Sequence, residues 1–99
     1  MEIKIQSIHF DATEKLQAFI EKKIAKLEKS YEDIKKVEVQ LKVVKPATAN
    51  NKEASITVTV PGTTLFVEKV SDTFEESIDL GVDTMRVQLQ KYKEKSRDY

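Results

Sequence analysis

The chain has 99 residues, no cysteine and no tryptophan, and its 17 lysine and arginine side chains are balanced by 17 aspartates and glutamates. At this length one modest core can form but not two; the missing thiols exclude a disulfide framework, a thiolate metal site and a cysteine nucleophile. Apolar runs of at most three residues exclude a membrane-spanning helix, and MEIKIQSIHF lacks the apolar segment of a signal peptide, so a cytoplasmic protein of one domain, 1–99, is expected.

Glu2 to Gln6 alternates Ile3 and Ile5 with polar residues, which predicts a half-buried strand. Asp11 is expected to cap a first helix, with Glu14 three residues on completing a capping box. Leu16, Phe19, Ile20, Ile24, Leu27 and Tyr31 then follow the spacing of one helical face. From Lys36 to Val44 the period returns to two, with Val37, Val39, Leu41 and Val43 set against Lys36, Glu38, Gln40 and Lys42. Lys45 to Lys52 is polar and carries a proline, which reads as a longer, mobile hairpin loop. Glu53 to Val60 repeats the alternation, Pro61-Gly62 marks a tight turn, and Thr63 to Lys69 completes a meander. Asp72 is expected to open a second helix with Glu75 in the capping-box position; its stripe is Phe74, Ile78, Val82, Met85, Leu89 and Tyr92, and Gly81 on the inward side favours close packing. Ser96 to Tyr99 is expected to fray.

This order, β-α-β-β-β-α, gives a sheet with one apolar face and two amphipathic helices that need it. The expected fold class is therefore α+β in two layers, a four-stranded mixed sheet with both helices packed on one face. A helical crossover makes the first two strands parallel, and the hairpins make the rest antiparallel.

The zero net charge resolves into local polarity. With Leu16 at zero on a wheel of 100° per residue, Lys15, Lys22, Lys26 and Lys29 fall at about 220–280°, and Glu14, Glu21, Glu28 and Glu32 at about 120–160°. Lys23 lies at the edge of the apolar face, where its stem can snorkel toward the basic side. The second helix separates charge along its length: Asp72, Glu75, Glu76, Asp79 and Asp83 come first, and Arg86, Lys91, Lys93, Lys95 and Arg97 last. That gradient complements the helix dipole without any function. The like-charged Lys22 and Lys26, four apart, are better explained by an external anion such as a phosphate backbone.

Catalytic chemistry has little to stand on. His9 is the single histidine and adjoins Ile8 and Phe10, a structural setting, and no transition-metal ligand set exists around it. Asp79 and Asp83 share a helix face that reads as a solvated acidic patch, and Gly62 and Gly81 are too isolated to cradle a phosphate. Tyr31 and Tyr92 sit on the edges of apolar stripes as half-buried core residues. No enzyme, cofactor, metal or small-molecule substrate is expected.

Asp72-Thr-Phe-Glu-Glu-Ser-Ile-Asp79 resembles the D-x-[Y/F]-x-A-I-D signature of the ribosome hibernation-promoting factor family, which includes protein Y and the ribosome-associated inhibitor. Residues 83–95 are similar to that family's D-K-L-x-x-Q-L-x-K-x-K-x-K, residues 12–28 to its first helix, and Val37 to Val43 to its v-x-V-x-L-x-v strand. The resemblance implies a short hibernation factor that binds the small ribosomal subunit between head and body, occupies the mRNA and tRNA channel, and inhibits translation in stationary phase or stress. Residue by residue it assigns RNA contacts to Lys23, Lys26, Gln88, Lys91, Lys93 and Lys95; the charge map adds Lys22, Lys29 and Arg86. Binding directed by shape and phosphate is expected, because the strands offer no aromatic platform. Val87 stands where the family often carries a base, and Glu76 and Ser77 replace small residues, departures that weaken affinity more than they move the site. The family's long forms add a C-terminal dimerisation domain; here self-association is possible but not predicted. The alternative reading is a protein-interaction module using the acidic start of the second helix or the polar strand face.

Overall fold

The computed structural model describes residues 1–44 and 50–97, and the backbone alone at 96 and 97. In chain order the elements are β1 (Glu2–Ser7), α1 (Glu14–Ala25), α2 (Leu27–Ser30), β2 (Lys36–Val43), β3 (Lys52–Val60), β4 (Thr63–Ser71) and α3 (Phe74–Arg97). The sheet order is β1-β2-β3-β4, with β1 parallel to β2 and the other neighbours antiparallel, as the connections require. The α+β mixed-sheet architecture is thus the expected one. Residues 45–49, most of the expected mobile loop, and 98–99 of the expected frayed end lie outside the described residues; α3 continues through Ser96 and Arg97.

The core is one layer between sheet and helices. Leu16, Ile20, Ile24 and Leu27 from α1 and α2, and Ile78, Val82, Met85 and Leu89 from α3, close over Val37, Val39, Leu41, Ala54, Ile56, Val58 and Val67. The stripe predicted for the first helix survives, but the helix does not run unbroken. At Lys26 the amide N–H donates to the Lys23 carbonyl, 3.2 Å, and the Lys29 N–H to the Lys26 carbonyl, also 3.2 Å. These tighter three-residue steps split α1 from α2 while keeping Leu27 in the core.

Both helix starts correct the expected caps. Thr13 Oγ1, not Asp11, accepts from the Leu16 N–H at 3.1 Å, and Thr73 Oγ1, not Asp72, accepts from the Glu76 N–H at 3.0 Å. Asp72 serves another segment: its Oδ1 accepts from the Asn50 N–H at 2.7 Å, tying the entry of β3 to the entry of α3. Phe10 and Phe74 stack across the two helix starts, with ring centroids 5.1 Å apart and planes 8° from parallel.

Three details anchor α3. Gly81 permits a close approach of helix to sheet, since a Cβ there would lie 2.9 Å from Ile56 Cδ1 and 3.8 Å from Val67 Cγ2. Ser77 is fully buried; its hydroxyl donates to the Lys52 carbonyl at 2.6 Å and lies 2.7 Å from the Ser71 hydroxyl, which reaches the Thr73 carbonyl at 2.8 Å. The pair thereby satisfies polar groups where β3, β4 and α3 meet. Tyr92 donates its hydroxyl to the Pro61 carbonyl at 2.6 Å, and Gly62 takes φ +88°, the value a type II turn demands after proline.

The other face of the sheet is open. Cross-strand register lays down rows across it, Lys4, Glu38 and Thr57 ending in the aromatic Phe66, and Gln6, Gln40, Ser55 and Glu68 in the next. Lys36 meets Glu38 at 3.3 Å. Glu53 and Glu68 share a hydrogen bond at the β4 side; burial and then the adjacent Glu68 charge raise the Glu53 pKa, partly opposed by Lys42. A carboxyl with a raised native pKa costs stability once it ionises, so that cost is present at pH 7 and fades as pH falls through the raised value. Glu53→Gln is therefore expected to raise the melting temperature at pH 7 and to leave it unchanged below the ordinary glutamate value of 4.5; an equal gain at both pH values would refute the electrostatic account.

Candidate nucleic-acid interface

The helix layer carries the charge polarity that the sequence predicts, and packing decides which charges converge. Lys23 Nζ lies 3.0 Å from Asp79 Oδ1 and 5.5 Å above the Phe19 ring, so the lysine flank of α1 is the flank that faces α3. The glutamates of α1 therefore turn away from the groove between the helices. Toward the C-terminal ends, Lys29 and Ser30 on α2 and Arg86, Gln90, Lys93 and Glu94 on α3 line an open cleft of about 420 Å³. Three cations and one carboxylate share this space, which is chemistry suited to a phosphate.

The nine predicted contact residues therefore fall into groups. Lys29, Arg86 and Lys93 come together in the cleft. Lys22 and Lys26 are exposed on the α1 flank leading to it. Lys23 does not project with them: it is held against Asp79, and its charge is offset within the protein. Such a half-exposed pair contributes at most about 1 kcal/mol, but it offsets the charge of Asp79, the α3 carboxylate nearest the α1 lysines. Gln88 is half-buried and outside the cleft. Lys91 and Lys95 are exposed, yet at 100° per residue they point about 140° and 180° away from Arg86, on the far flank of α3.

Sequence reasoning missed two features. Gln90 and Ser30 supply neutral hydrogen-bonding groups to the cleft, and only the packing of α2 on α3 reveals them. Phe66 corrects the expectation that the strands offer no aromatic: it stands 55% exposed on the open sheet face, beside a depression of about 120 Å³ lined by Lys4, Gln6, Glu38, Gln40, Ser55 and Thr57. The alternation of β4 was a sufficient signal, since Phe66 shares parity with Thr64 and Glu68, not with Leu65 and Val67. His9 is exposed with φ +64°, in a turn between β1 and α1, and takes no part in the cleft. Among the described residues no group of three or more His, Asp or Glu side chains could hold a metal ion, and no helix is long and apolar enough to cross a membrane.

A two-layer α+β domain with its helices over one face of a four-stranded mixed sheet has clear counterparts. Residues 3–97 match the pattern of the family described as Sigma 54 modulation protein / S30EA ribosomal protein, and the chain belongs to that family. It is 35% identical over 98 residues to a ribosome hibernation promotion factor of Picosynechococcus, covering 97% of this chain but 51% of that protein, so the chain spans about half the length of this relative. A ribosome hibernation promoting factor of Pseudomonas putida is 27% identical over 97 residues, covering 98% of this chain and 91% of the relative. Among solved structures, the N-terminal domain of Thermus thermophilus protein Y superposes with a TM-score of 0.80 at 26% identity, covering 93% and 99% of the two chains. A ribosomal subunit interface protein from Coxiella burnetii shares the fold, with a TM-score of 0.83 at 24% identity over 94% and 98%.

Proposed function

We propose that this domain is a ribosome-binding hibernation factor, a non-enzymatic cytoplasmic inhibitor that occupies the mRNA and tRNA channel of the small ribosomal subunit in stationary phase or stress. The observation that carries the reading is the convergence of Lys29, Arg86 and Lys93 on one cleft, approached by the exposed lysines of α1. Ribosomal RNA phosphates are the matching partner, because cations position a protein on a nucleic-acid backbone without reading sequence. The names of the relatives, hibernation factors and a ribosomal subunit interface protein, support the same assignment.

The alternative of a protein module docking through the acidic start of α3 is weakened by Lys23, which already engages Asp79 there. The test is sedimentation with purified small subunits: the protein should co-migrate at low salt and dissociate as salt rises, and should compete with a short mRNA for the subunit. Absence from the subunit fraction at low salt would overturn the proposal; co-migration without competition would overturn channel occupancy.

A further inference from the structure

We propose that β4 is a docking edge for a second copy of this chain, joining two sheets into one of eight strands. The β3–β4 ladder runs in unbroken register from Lys52↔Ser71 to Val60↔Thr63, so β4 presents nine residues of regular strand with neither bulge nor proline. It ends the sheet, and among the described residues no strand pairs with its outer side. Natural sheets blunt such edges with prolines, bulges, charged side chains or covering segments, and of these β4 carries only Glu68 and Lys69. Here the edge instead displays apolar side chains, Phe66 at 55% and Val70 at 42% exposure.

The strand's own sequence selects a second copy as the occupant. Two copies of β4 pair antiparallel about a two-fold axis normal to the sheet, so each register is fixed by the residue on the axis. With Phe66 on the axis, Phe66 faces its own copy, Leu65 faces Val67, Thr64 faces Glu68 and Thr63 faces Lys69. That register pairs aromatic with aromatic and apolar with apolar, and gives each charged side chain a hydroxyl partner. Moving the axis to Glu68 sets two carboxylates face to face, and moving it to Val67 sets Phe66 against Glu68 and Leu65 against Lys69. Of these three registers, only the one about Phe66 avoids opposing two carboxylates or setting an apolar side chain against a charge, with Glu68 and Lys69 acting as register marks. A normal two-fold axis also keeps both helix layers on the same side, so the clefts at Lys29, Arg86 and Lys93 stay open in the pair. The proposal is independent of ribosome binding and is tested on the isolated protein.

A chain without cysteine permits a clean experiment. Directly opposed residues on antiparallel strands have Cα atoms about 4.5–5.5 Å apart, within disulfide reach. In the proposed register residue 68 lies about 14 Å from its own copy. Mild oxidation should therefore link the Phe66→Cys variant into a covalent dimer while the Glu68→Cys and Thr64→Cys variants stay single. The native protein should show a mass rising from 11.4 kDa toward twice that value as concentration increases in sedimentation equilibrium. Phe66→Glu should hold it at the monomer mass with unchanged circular dichroism, and mixing Phe66→Glu with Phe66→Lys should restore a heterodimer. A monomer at millimolar concentration, equal cross-linking at positions 66 and 68, or a dimer indifferent to Phe66→Glu would each overturn the proposal. So would Phe66 becoming protected only when small subunits are added, which would assign the edge to a ribosomal component.

Discussion

Replacing Lys29, Arg86 and Lys93 together by glutamate is expected to abolish co-sedimentation with small subunits at every salt concentration. The three side chains line one cleft, so the change removes three phosphate partners and substitutes three repulsive charges at a single place. Each neutralised phosphate contributes about 0.7–0.9 to the slope of log affinity against log salt. Neutral glutamine replacements at the same positions should therefore lower that slope by about 2–3 while retaining some binding at low salt. The fold should not respond, because Lys29, Arg86 and Lys93 are exposed and surface changes of this kind alter stability by about 0.5 kcal/mol or less. Reversing Lys91 and Lys95 instead asks whether the far flank of α3 also touches RNA; a smaller loss than the cleft triple is expected. Reversing Glu14, Glu21 and Glu28, which turn away from the groove, should leave binding intact or strengthen it. Undiminished binding by the cleft triple, measured beside an unchanged melting curve, would remove the cleft from the interface.

The elements and their pairing were legible because strict alternation in β2 and β3 and helical spacing in α1 and α3 leave each side chain a single face on which to bury. Caps were less legible. Asp11 and Thr13, and Asp72 and Thr73, are all good N-cap residues, and local sequence cannot tell which hydroxyl or carboxylate is needed elsewhere. Asp72 is needed by Asn50, twenty-two residues away, and that demand is visible only in three dimensions. The candidate cleft divides in the same manner. That lysines and glutamates occupy opposite flanks of α1 follows from 100° per residue; that Lys29 meets Arg86 and Lys93, while Lys23 is withdrawn by Asp79, depends on how α1 and α2 lie beside α3. A run of bases such as Lys91, Lys93 and Lys95 looks like one patch in sequence, yet alternate members on a helix stand on different flanks.

The largest loss of stability is expected at Ile56. It is fully buried at the centre of β3, directly beneath Gly81 of α3, and Ile56→Ala should lower the melting temperature by about 10–30 °C, the consequence of about 2–5 kcal/mol for a truncated core side chain in a domain of this size. The informative measurement couples this site to the glycine. Alanine at position 81 alone gains about 1 kcal/mol of helix propensity but sets its methyl 2.9 Å from Ile56 Cδ1, so the fully buried Ile56 side chain must shift to admit it. Ile56→Val removes Cδ1 and leaves the carbon that would sit at an ordinary 3.7 Å. In that background Gly81→Ala should become stabilising by about 1 kcal/mol, filling the space the missing methyl vacates. Ile56→Val and Gly81→Ala should then be non-additive, the double variant melting above Ile56→Val alone. Strict additivity in a double-mutant cycle would mean that the glycine is not there to let the helix close on Ile56. Non-additivity would identify the packing distance of α3 on the sheet, and with it the placement of Arg86 and Lys93 one to three turns further along the same helix, as set by a hydrogen atom at position 81.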